Sequence, residues 1–147
     1  MKILSIDPSG TGTSGMFFTN GTEQEFFSYE NKNWKEHYSF IKELVQNKKP
    51  NLIIYEHTNY INLKGIDMTS LFKLFGAIEC LEVERINNIP VNQVKELAKK
   101  LLKGELKLAE IEYQQGRGKG WMFEGKRISI HCLEAFIVYY LWKDKEK

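Results

Sequence analysis

Residues 1–15, MKILSIDPSGTGTSG, decide the fold of this chain. Ile3, Leu4 and Ile6 form a short apolar run that is typical of a strand buried on both faces. The run ends at Asp7, and the Gly-, Ser- and Thr-rich residues 8–15 predict a tight turn before an apolar run resumes, which indicates a hairpin. A carboxylate at the end of a rigid strand, beside uncovered glycine N–H groups, suits a metal ion and a phosphate oxygen. The alternative is an Asp that only caps the turn.

A second apolar run ends in a carboxylate in the same way. Helical spacing predicts a helix over 34–48, with Asn33 as its N-cap, and the strand-like run LIIYEH follows at 52–57. A strand–helix–strand crossing favours a strand parallel to the first. Asp7 and Glu56 would then lie at the same carboxyl-terminal edge, where open α/β sheets bind their ligands.

The last predicted helix, over 129–142, is strongly apolar and carries His131 and Glu134 on one face. Burying an unpaired carboxylate on such a helix costs several kcal/mol unless something compensates, and a divalent cation would do so. The alternative is that both residues lie in an exposed first turn, where Glu134 interacts with the helix dipole. Together with Asp7 and Glu56, the metal interpretation is favoured.

The middle of the chain predicts more helix than strand. A loop is expected over 58–67, a long helix over 68–87, and a short fifth strand near 89–91. The apolar stripe of the long helix suits either core packing or a dimer surface. A basic helix should end at Lys103-Gly104, and a short helix is expected over 106–113.

The basic residues are concentrated in one region, although the net charge is only +2. Residues 91–127 contain nine Lys or Arg against five Asp or Glu, which is compatible with a phosphate-binding face or with a solvated Lys-rich helix. Within this region, residues 116–127 mix glycines, cations and aromatics. Such a segment suits contact with a nucleic-acid backbone and with unpaired bases, or a mobile connector.

Composition indicates a single domain over 1–147 and an ordinary globular protein, with 42% hydrophobic and 27% charged residues. No apolar run approaches the roughly 20 residues of a membrane span, and no signal-peptide pattern begins the chain. Cys80 and Cys132, both predicted in helices, are expected to be free thiols in a reducing compartment. We therefore expect a cytoplasmic protein without a membrane partner.

Three segments, ILSIDPSGTGTSG, LIIYEH and HCLEAFIV, resemble in order and spacing the RuvC family of Holliday-junction resolvases. The resemblance covers nearly the whole chain and implies an α/β, RNase H-like fold with a mixed five-stranded sheet flanked by helices. Asp7, Glu56, His131 and Glu134 fall on the four active-site positions of the family. The chain departs from the family pattern at Glu134, where Asp is usual, at Ser9-Gly10, where Gly-Ser is usual, and in its longer Gly-rich segment.

The resemblance implies a metal-dependent, structure-selective endodeoxyribonuclease that nicks branched DNA and leaves 5′-phosphates. Two Mg²⁺ ions, with Mn²⁺ tolerated, would be held by the four active-site residues, with Asp7 bridging both ions and Glu56 and Glu134 holding one each. His131 would complete a metal shell or orient the attacking water. Symmetric resolution implies a homodimer, and short Lys-rich members of the family occur in bacteriophages. Charge and resemblance together predict DNA contacts for Tyr60, Lys64, Lys95, Lys99, Lys103, Lys107, Arg117 and Lys119.

Other functions compete with strict junction resolution. Actin-like and sugar-kinase ATPases begin with a related strand and hairpin, but they need two such domains, which 147 residues cannot supply. A RuvC-like nuclease that also cuts forks or flaps fits the sequence equally well. A non-catalytic junction-binding module is disfavoured because all four polar site residues are intact.

Overall fold

Five strands form the main sheet, and the strand that ends at Asp7 lies at its centre. The computed structural model describes residues 1–58 and 68–147. Across the main sheet the order is β3-β2-β1-β4-β5, and a second sheet has the order β6-β7-β8. In chain order the elements are β1 (Ile3–Asp7), β2 (Thr13–Thr19), β3 (Gln24–Glu30), α1 (Trp34–Lys48), β4 (Leu52–His57), α2 (Met68–Glu79), β5 (Arg85–Pro90), α3 (Val91–Lys103), β6 (Ile111–Gln114), β7 (Gly120–Phe123), β8 (Lys126–Ile128) and α4 (Ile130–Lys145).

The amino-terminal half has the predicted arrangement. β1 and β2 are antiparallel, whereas β1 and β4 are parallel, with Ile3 opposite Leu52 and Ile6 opposite Tyr55. The predicted helix α1 is found at its predicted bounds, and the Asn33 side chain accepts a hydrogen bond from the backbone N–H of Lys35. A mixed five-stranded sheet flanked by helices is therefore confirmed.

The two faces of the main sheet are covered by different layers. Because side chains alternate along a strand, Leu4 and Ile6 of β1 point into an apolar cluster that α1 and α2 complete. Ile3 points to the opposite face, where α3 and α4 complete a second cluster. α4 is buried along most of its length because the small sheet covers its outer side, through contacts such as Phe123 with Phe136.

The small sheet overturns two predictions. Residues 106–113 were expected to form a helix, but Leu106 to Glu110 are not helical and β6 begins at Ile111. Residues 116–127, for which a mobile connector was one of two interpretations, contain β7 and most of β8. Trp121 and Phe123 are buried, so packing against α4 stabilises strands that the glycine content obscures.

The predicted long helix over 68–87 is also wrong in its second half. α2 ends at Glu79, and β5 already includes Ile86, which lies opposite Ile53 of β4. Ile86 follows Ile78 at a helical spacing, but pairing with the buried strand β4 decides its conformation. β5 is the fifth strand of the main sheet, earlier in the chain than predicted.

The structure bears on two further predictions, the state of the cysteines and the lack of a membrane-spanning helix. Cys132 lies in α4 as predicted, while Cys80 lies one residue beyond α2, and both are free thiols. Within residues 1–58 and 68–147, no helix is both long and apolar enough to cross a bilayer. The predicted loop over 58–67, apart from Thr58, lies outside the described residues, and so do Tyr60 and Lys64.

Candidate active site

Three carboxylates from distant parts of the chain converge at the carboxyl-terminal edge of the main sheet. Asp7 ends β1, Glu56 lies near the end of β4, and Glu134 lies in the second turn of α4. Each offers an oxygen within 4.8 Å of the others. All three are buried, with relative exposures of 8%, 7% and 6%. The shared edge predicted for Asp7 and Glu56 is therefore found, and Glu134 is not an exposed capping charge.

Strand alternation explains why both strand carboxylates point towards α4. Asp7 follows Ile3 at even spacing along β1, and Glu56 follows Leu52 and Ile54 along β4. Ile3, Leu52 and Ile54 all belong to the apolar cluster on the α4 side of the sheet. The carboxylates continue those two rows by one further step, so each enters the end of that layer.

Two close contacts hold α4 against the sheet beside the carboxylates. Ser5, on the same face of β1 as Asp7, is fully buried, and its hydroxyl donates a 2.7 Å hydrogen bond to the carbonyl oxygen of Ala135. At Gly15, which is opposite Asp7 in β2, an added Cβ would collide with the backbone carbonyl of His131. The first turns of α4 can therefore approach β1 and β2 only because small residues face them.

A polar network that ends at two buried residues, Ser14 and His37, holds the turn that follows Asp7. Ser9 accepts a 2.8 Å hydrogen bond from the N–H of Gly12, and its own N–H donates to Ser14 Oγ at 2.9 Å. Ser14 Oγ lies 2.9 Å from Nδ1 of the fully buried His37. His37 Nε2 lies 2.7 Å from the carbonyl oxygen of Asn31, so Nε2 donates there and Nδ1 accepts from Ser14. The role of His37 is not visible in the sequence, because a single polar residue in an amphipathic helix gives no signal.

Burial and mutual repulsion disfavour the ionised forms of Asp7 and Glu56. Burial, followed by the negative charge of Glu134, raises the pKa of Asp7 well above its ordinary value. Burial and the charges of Asp7 and Glu134 raise the pKa of Glu56 to about 9. Among the described residues, Oε2 of Glu56 is a buried oxygen without a hydrogen-bond partner. An acceptor left unpaired in this way is costly, and the cost would be removed by a cation.

The donor set fits a hard divalent cation. Carboxylate oxygens from three rigid elements are the ligands that Mg²⁺ and Mn²⁺ prefer, and a cation there would relieve both the mutual repulsion and the unpaired Glu56 oxygen. The fourth predicted residue, His131, lies beside this cluster, with Nδ1 3.2 Å from Oδ2 of Asp7. When Asp7 is ionised, Nδ1–H donates this bond. The His131 side chain is 41% exposed, so it lies at the rim of the site.

Lys95, predicted as a DNA contact, reaches the carboxylate cluster itself. Its Nζ lies 2.5 Å from Oε1 of Glu134, and its side chain is 52% exposed. Burial would lower the pKa of Lys95, but its hydrogen bond to Glu134 and the charges of the three carboxylates raise it instead. The sequence contains a signal for the position of Lys95 near the carboxylates. α3 begins directly after β5, and Pro90 at the end of β5 is paired with His57, next to Glu56.

Lys99 and Lys103 continue along α3 from Lys95, and Lys107 follows the end of the helix. Lys99, Lys103 and Lys107 are exposed. Lys99 follows Lys95 by about one helical turn, and Lys103 lies about 12 Å from Lys95 along the helix axis at 1.5 Å per residue. Lys107 lies beyond the end of α3.

Arg117 and Lys119 lie on a shaped turn, here called the basic tip, which comprises residues 115–119. Gln114 is opposite Gly120 and Trp121 is opposite Ile128, so the tip is at the end of the small sheet where β8 leads into α4. The guanidinium of Arg127 donates to the carbonyl oxygens of Gly118 and Lys119. The tip therefore presents two exposed cations at the end of the sheet from which His131 and Glu134 follow.

No protein-family model matches this chain, and no curated protein matches its sequence. Solved structures match it in fold. RuvC of Thermus thermophilus in complex with a Holliday junction substrate superposes with a TM-score of 0.59 at 13% identity, over 100% of this chain and 97% of that one. A second Thermus thermophilus RuvC structure gives 0.55 at 15% identity, over 98% and 97% of the two chains. The Holliday junction resolvase of fowlpox virus gives 0.50 at 9% identity, over 99% of both chains. The chain thus shares the RNase H-like fold of these resolvases, as the sequence resemblance implied.

Proposed function

We propose that this chain is a metal-dependent endodeoxyribonuclease that nicks branched DNA and resolves Holliday junctions. The observation that carries the proposal is the convergence of Asp7, Glu56 and Glu134, three buried carboxylates within 4.8 Å, on the fold of RuvC resolvases. One of the matched structures is itself a complex with a Holliday junction. A purely structural role would not explain why three mutually repelling acids are buried together at the ligand-binding edge of the sheet.

Mg²⁺ is the proposed cofactor, in two ions, with Mn²⁺ as a substitute. Asp7, from the central strand, would hold the ions together with Glu56 and Glu134. When bound, such ions supply an activated water and neutralise the charge that develops on the leaving 3′ oxygen. Burial of the carboxylates keeps bulk water away from their oxygens and strengthens their attraction for a cation.

His131 is proposed to act at the rim. Its Nδ1 contact with Asp7 fixes the imidazole in one orientation, so that the other ring nitrogen is held in a defined direction. In that position it would complete a metal shell or orient the attacking water.

The proposed DNA path follows the cations that flank the carboxylates. Lys95 and Lys99 lie on α3, and Arg117 and Lys119 of the basic tip lie at the end of the small sheet from which α4 begins. Lys103 and Lys107 would contact duplex DNA farther from the scissile phosphate. Tyr60 and Lys64, which lie outside the described residues, remain proposed DNA contacts on sequence grounds alone.

Junction resolution needs two symmetric nicks, so a homodimer with two identical sites is part of the proposal. Each chain would be a single nuclease domain over residues 1–147. The free thiols of Cys80 and Cys132 are consistent with the cytoplasm of a bacterial cell or of a phage-infected host.

Incubation with DNA substrates of different shape tests the proposal. We expect the purified protein with Mg²⁺ to nick a four-way junction into products with 5′-phosphates, and to leave a linear duplex of the same sequence intact. Without Mg²⁺, and for Asp7→Asn with Mg²⁺, junction binding should persist without cleavage, because removing a negative charge near phosphate does not weaken binding. Equal cleavage of forks or flaps would identify a broader branched-DNA nuclease. Binding without metal-dependent cleavage by the wild type would identify a non-catalytic junction-binding module.

A further inference from the structure

The ammonium group of Lys95 is the closest basic group to the buried carboxylates among the described residues. Its Nζ lies 2.5 Å from Oε1 of Glu134, which is closer than an ordinary charge-assisted N–H···O hydrogen bond. His131 also contacts the cluster, but at Asp7. Glu134 is almost fully enclosed, whereas half of the Lys95 side chain is exposed, so the pair joins a fixed anion to a cation on a flexible stem.

We propose that Lys95 is the resident counter-ion of the carboxylate cluster and that a divalent cation displaces it from Glu134. The inference rests on the proposed metal site, and it adds a step in which metal binding frees a lysine at the edge of that site.

Charge proximity supports the displacement. A divalent cation held by Asp7, Glu56 and Glu134 would lie within a few ångströms of Nζ, because all three acceptors lie within 4.8 Å of one another and Nζ already contacts one of them. Like charges at that separation repel strongly in a partly buried site. The exposed lysine stem can rotate into solvent, whereas the carboxylates are fixed by two strands and a helix.

The displaced ammonium would have a use at the rim of the site. Lys95 lies in the second turn of α3, on the side of the carboxylates from which Lys99 continues the basic surface. Once released, its charge is available to a DNA phosphate, so metal loading and DNA-backbone binding would support each other. Without metal, the same charge is neutralised by Glu134.

Chemical labelling of the wild-type protein tests the displacement without cleavage and without DNA. The protein is acetylated briefly with and without Mg²⁺, and labelling at each lysine is read by mass spectrometry, with Lys99 as an internal reference one turn away. We expect Mg²⁺ to increase labelling of Lys95 at least about threefold relative to Lys99, because an ion-paired amine is a poor nucleophile. Unchanged relative labelling in protein shown by calorimetry to bind Mg²⁺ would overturn the proposal.

Metal affinity of matched variants gives an independent test. Lys95→Met removes the competing charge, so we expect Mg²⁺ to bind about tenfold more tightly by calorimetry, equivalent to about 1.4 kcal/mol. Lys99→Met removes the same charge one turn away and should leave the affinity within about twofold of wild type. Lys95→Arg keeps the charge, so it should keep the wild-type affinity and the thermal stability of the metal-free protein. Weaker binding by Lys95→Met would show that Lys95 positions Glu134 for the metal, and would overturn the counter-ion role.

The outcomes separate this inference from the proposed function. If the wild type binds no Mg²⁺, the proposed metal site fails and with it the counter-ion. If the wild type binds Mg²⁺ but neither labelling nor affinity depends on Lys95, only the counter-ion proposal fails. Should Lys95→Met not fold, the labelling experiment on the wild type still decides.

Discussion

The hydroxyl of Ser5 donates a 2.7 Å hydrogen bond to the carbonyl oxygen of Ala135, and so joins the central strand to α4 at the residue next to Glu134. Ser5 is fully buried and lies two residues before Asp7 on the same face of β1. The bond therefore sets the distance between the two elements that carry Asp7 and Glu134.

Ser5→Ala should weaken both the fold and the site. Losing one buried hydrogen bond costs about 1 kcal/mol of unfolding free energy, and the freed helix would no longer hold Glu134 in register with Asp7. We expect a lower midpoint in urea and a reduced cleavage rate with little change in junction affinity. Ser28→Ala, an exposed serine on β3, is the matched control and should change neither. A wild-type cleavage rate for Ser5→Ala would show that Glu134 is positioned without this bond.

Gly15→Ala should disrupt the start of α4. The added methyl group would collide with the backbone of His131 and Cys132, so α4 must shift away from β2. We expect a loss of at least about 2 kcal/mol of stability, as for other overpacked sites, and severe loss of cleavage. Gly76→Ala in α2 is the control, because a Cβ there meets no neighbour within 4 Å and alanine favours helix. Comparable stability of the two variants would contradict the close approach.

Substitutions at Glu134 and His131 should separate charge from shape. Glu134→Gln keeps size and hydrogen bonding but removes the charge that would hold a cation, so cleavage should fall severely and added Mn²⁺ should restore part of it. Glu134→Asp and His131→Asp should keep clear activity, because the resembling family accepts an acid at both positions. His131→Ala should lose most activity. All four variants are compared with the wild type by their cleavage of a four-way junction. If Glu134→Gln cleaved as fast as the wild type, and metal raised its Tm by the same amount, Glu134 would be excluded as a metal ligand.

The stability of the metal-free protein should fall as pH rises from 5 to 9. Because the pKa of Glu56 is raised to about 9 from 4.5, its contribution to stability is fully present below pH 4.5 and is lost as pH rises to about 9. Asp7, whose pKa is also raised, acts in the same sense. We expect the Tm without metal to fall between pH 5 and pH 9, and Mg²⁺ to raise it more at pH 9 than at pH 6. Glu56→Gln should flatten the decline, and an equally steep decline in that variant would exclude Glu56 as its source.

The basic tip should contribute to the salt dependence of junction binding. Replacing Arg117 and Lys119 together with Ala should reduce the log–log salt slope by about 0.9 for each phosphate that the variant no longer neutralises. The Lys103 and Lys107 double variant removes the same charge at and just beyond the end of α3. We expect it to lower the slope without affecting the cleavage position, whereas loss of the tip should alter both. An unchanged slope for either pair would show that its cations form only a solvated surface.

The sequence predicted the part of the site that depends on strand ends. Asp7 and Glu56 each terminate an apolar run, and one crossover fixes their strands as parallel neighbours, so their edge follows from chain order. Their common face did not follow, because both runs are buried on both sides and show no alternation. The Lys95–Glu134 contact was missed since it depends on how α3 and α4 pack, which neither helix encodes alone.

The errors lie where packing overrides local pattern. β5 contains two asparagines and follows a helical apolar period, so only its pairing with β4 makes it a strand. In the small sheet, Glu124 and Gly125 have positive φ angles and connect Phe123 to Lys126, the two-residue turn of a hairpin. The Glu124-Gly125 pair, between two strand-like runs, was the sequence signal for this hairpin. The neighbouring glycines made the segment resemble a connector instead.

The bond between Ser5 and Ala135 spans 130 residues, which has a consequence for biosynthesis. β1 leaves the ribosome before α4, the helix that carries Ala135 and Glu134. A nascent chain therefore holds Asp7 and Glu56 without their third partner, and contacts of such long sequence separation form late and slowly. The proposed nuclease chemistry would therefore be withheld until α4 has been synthesised and has docked against the sheet.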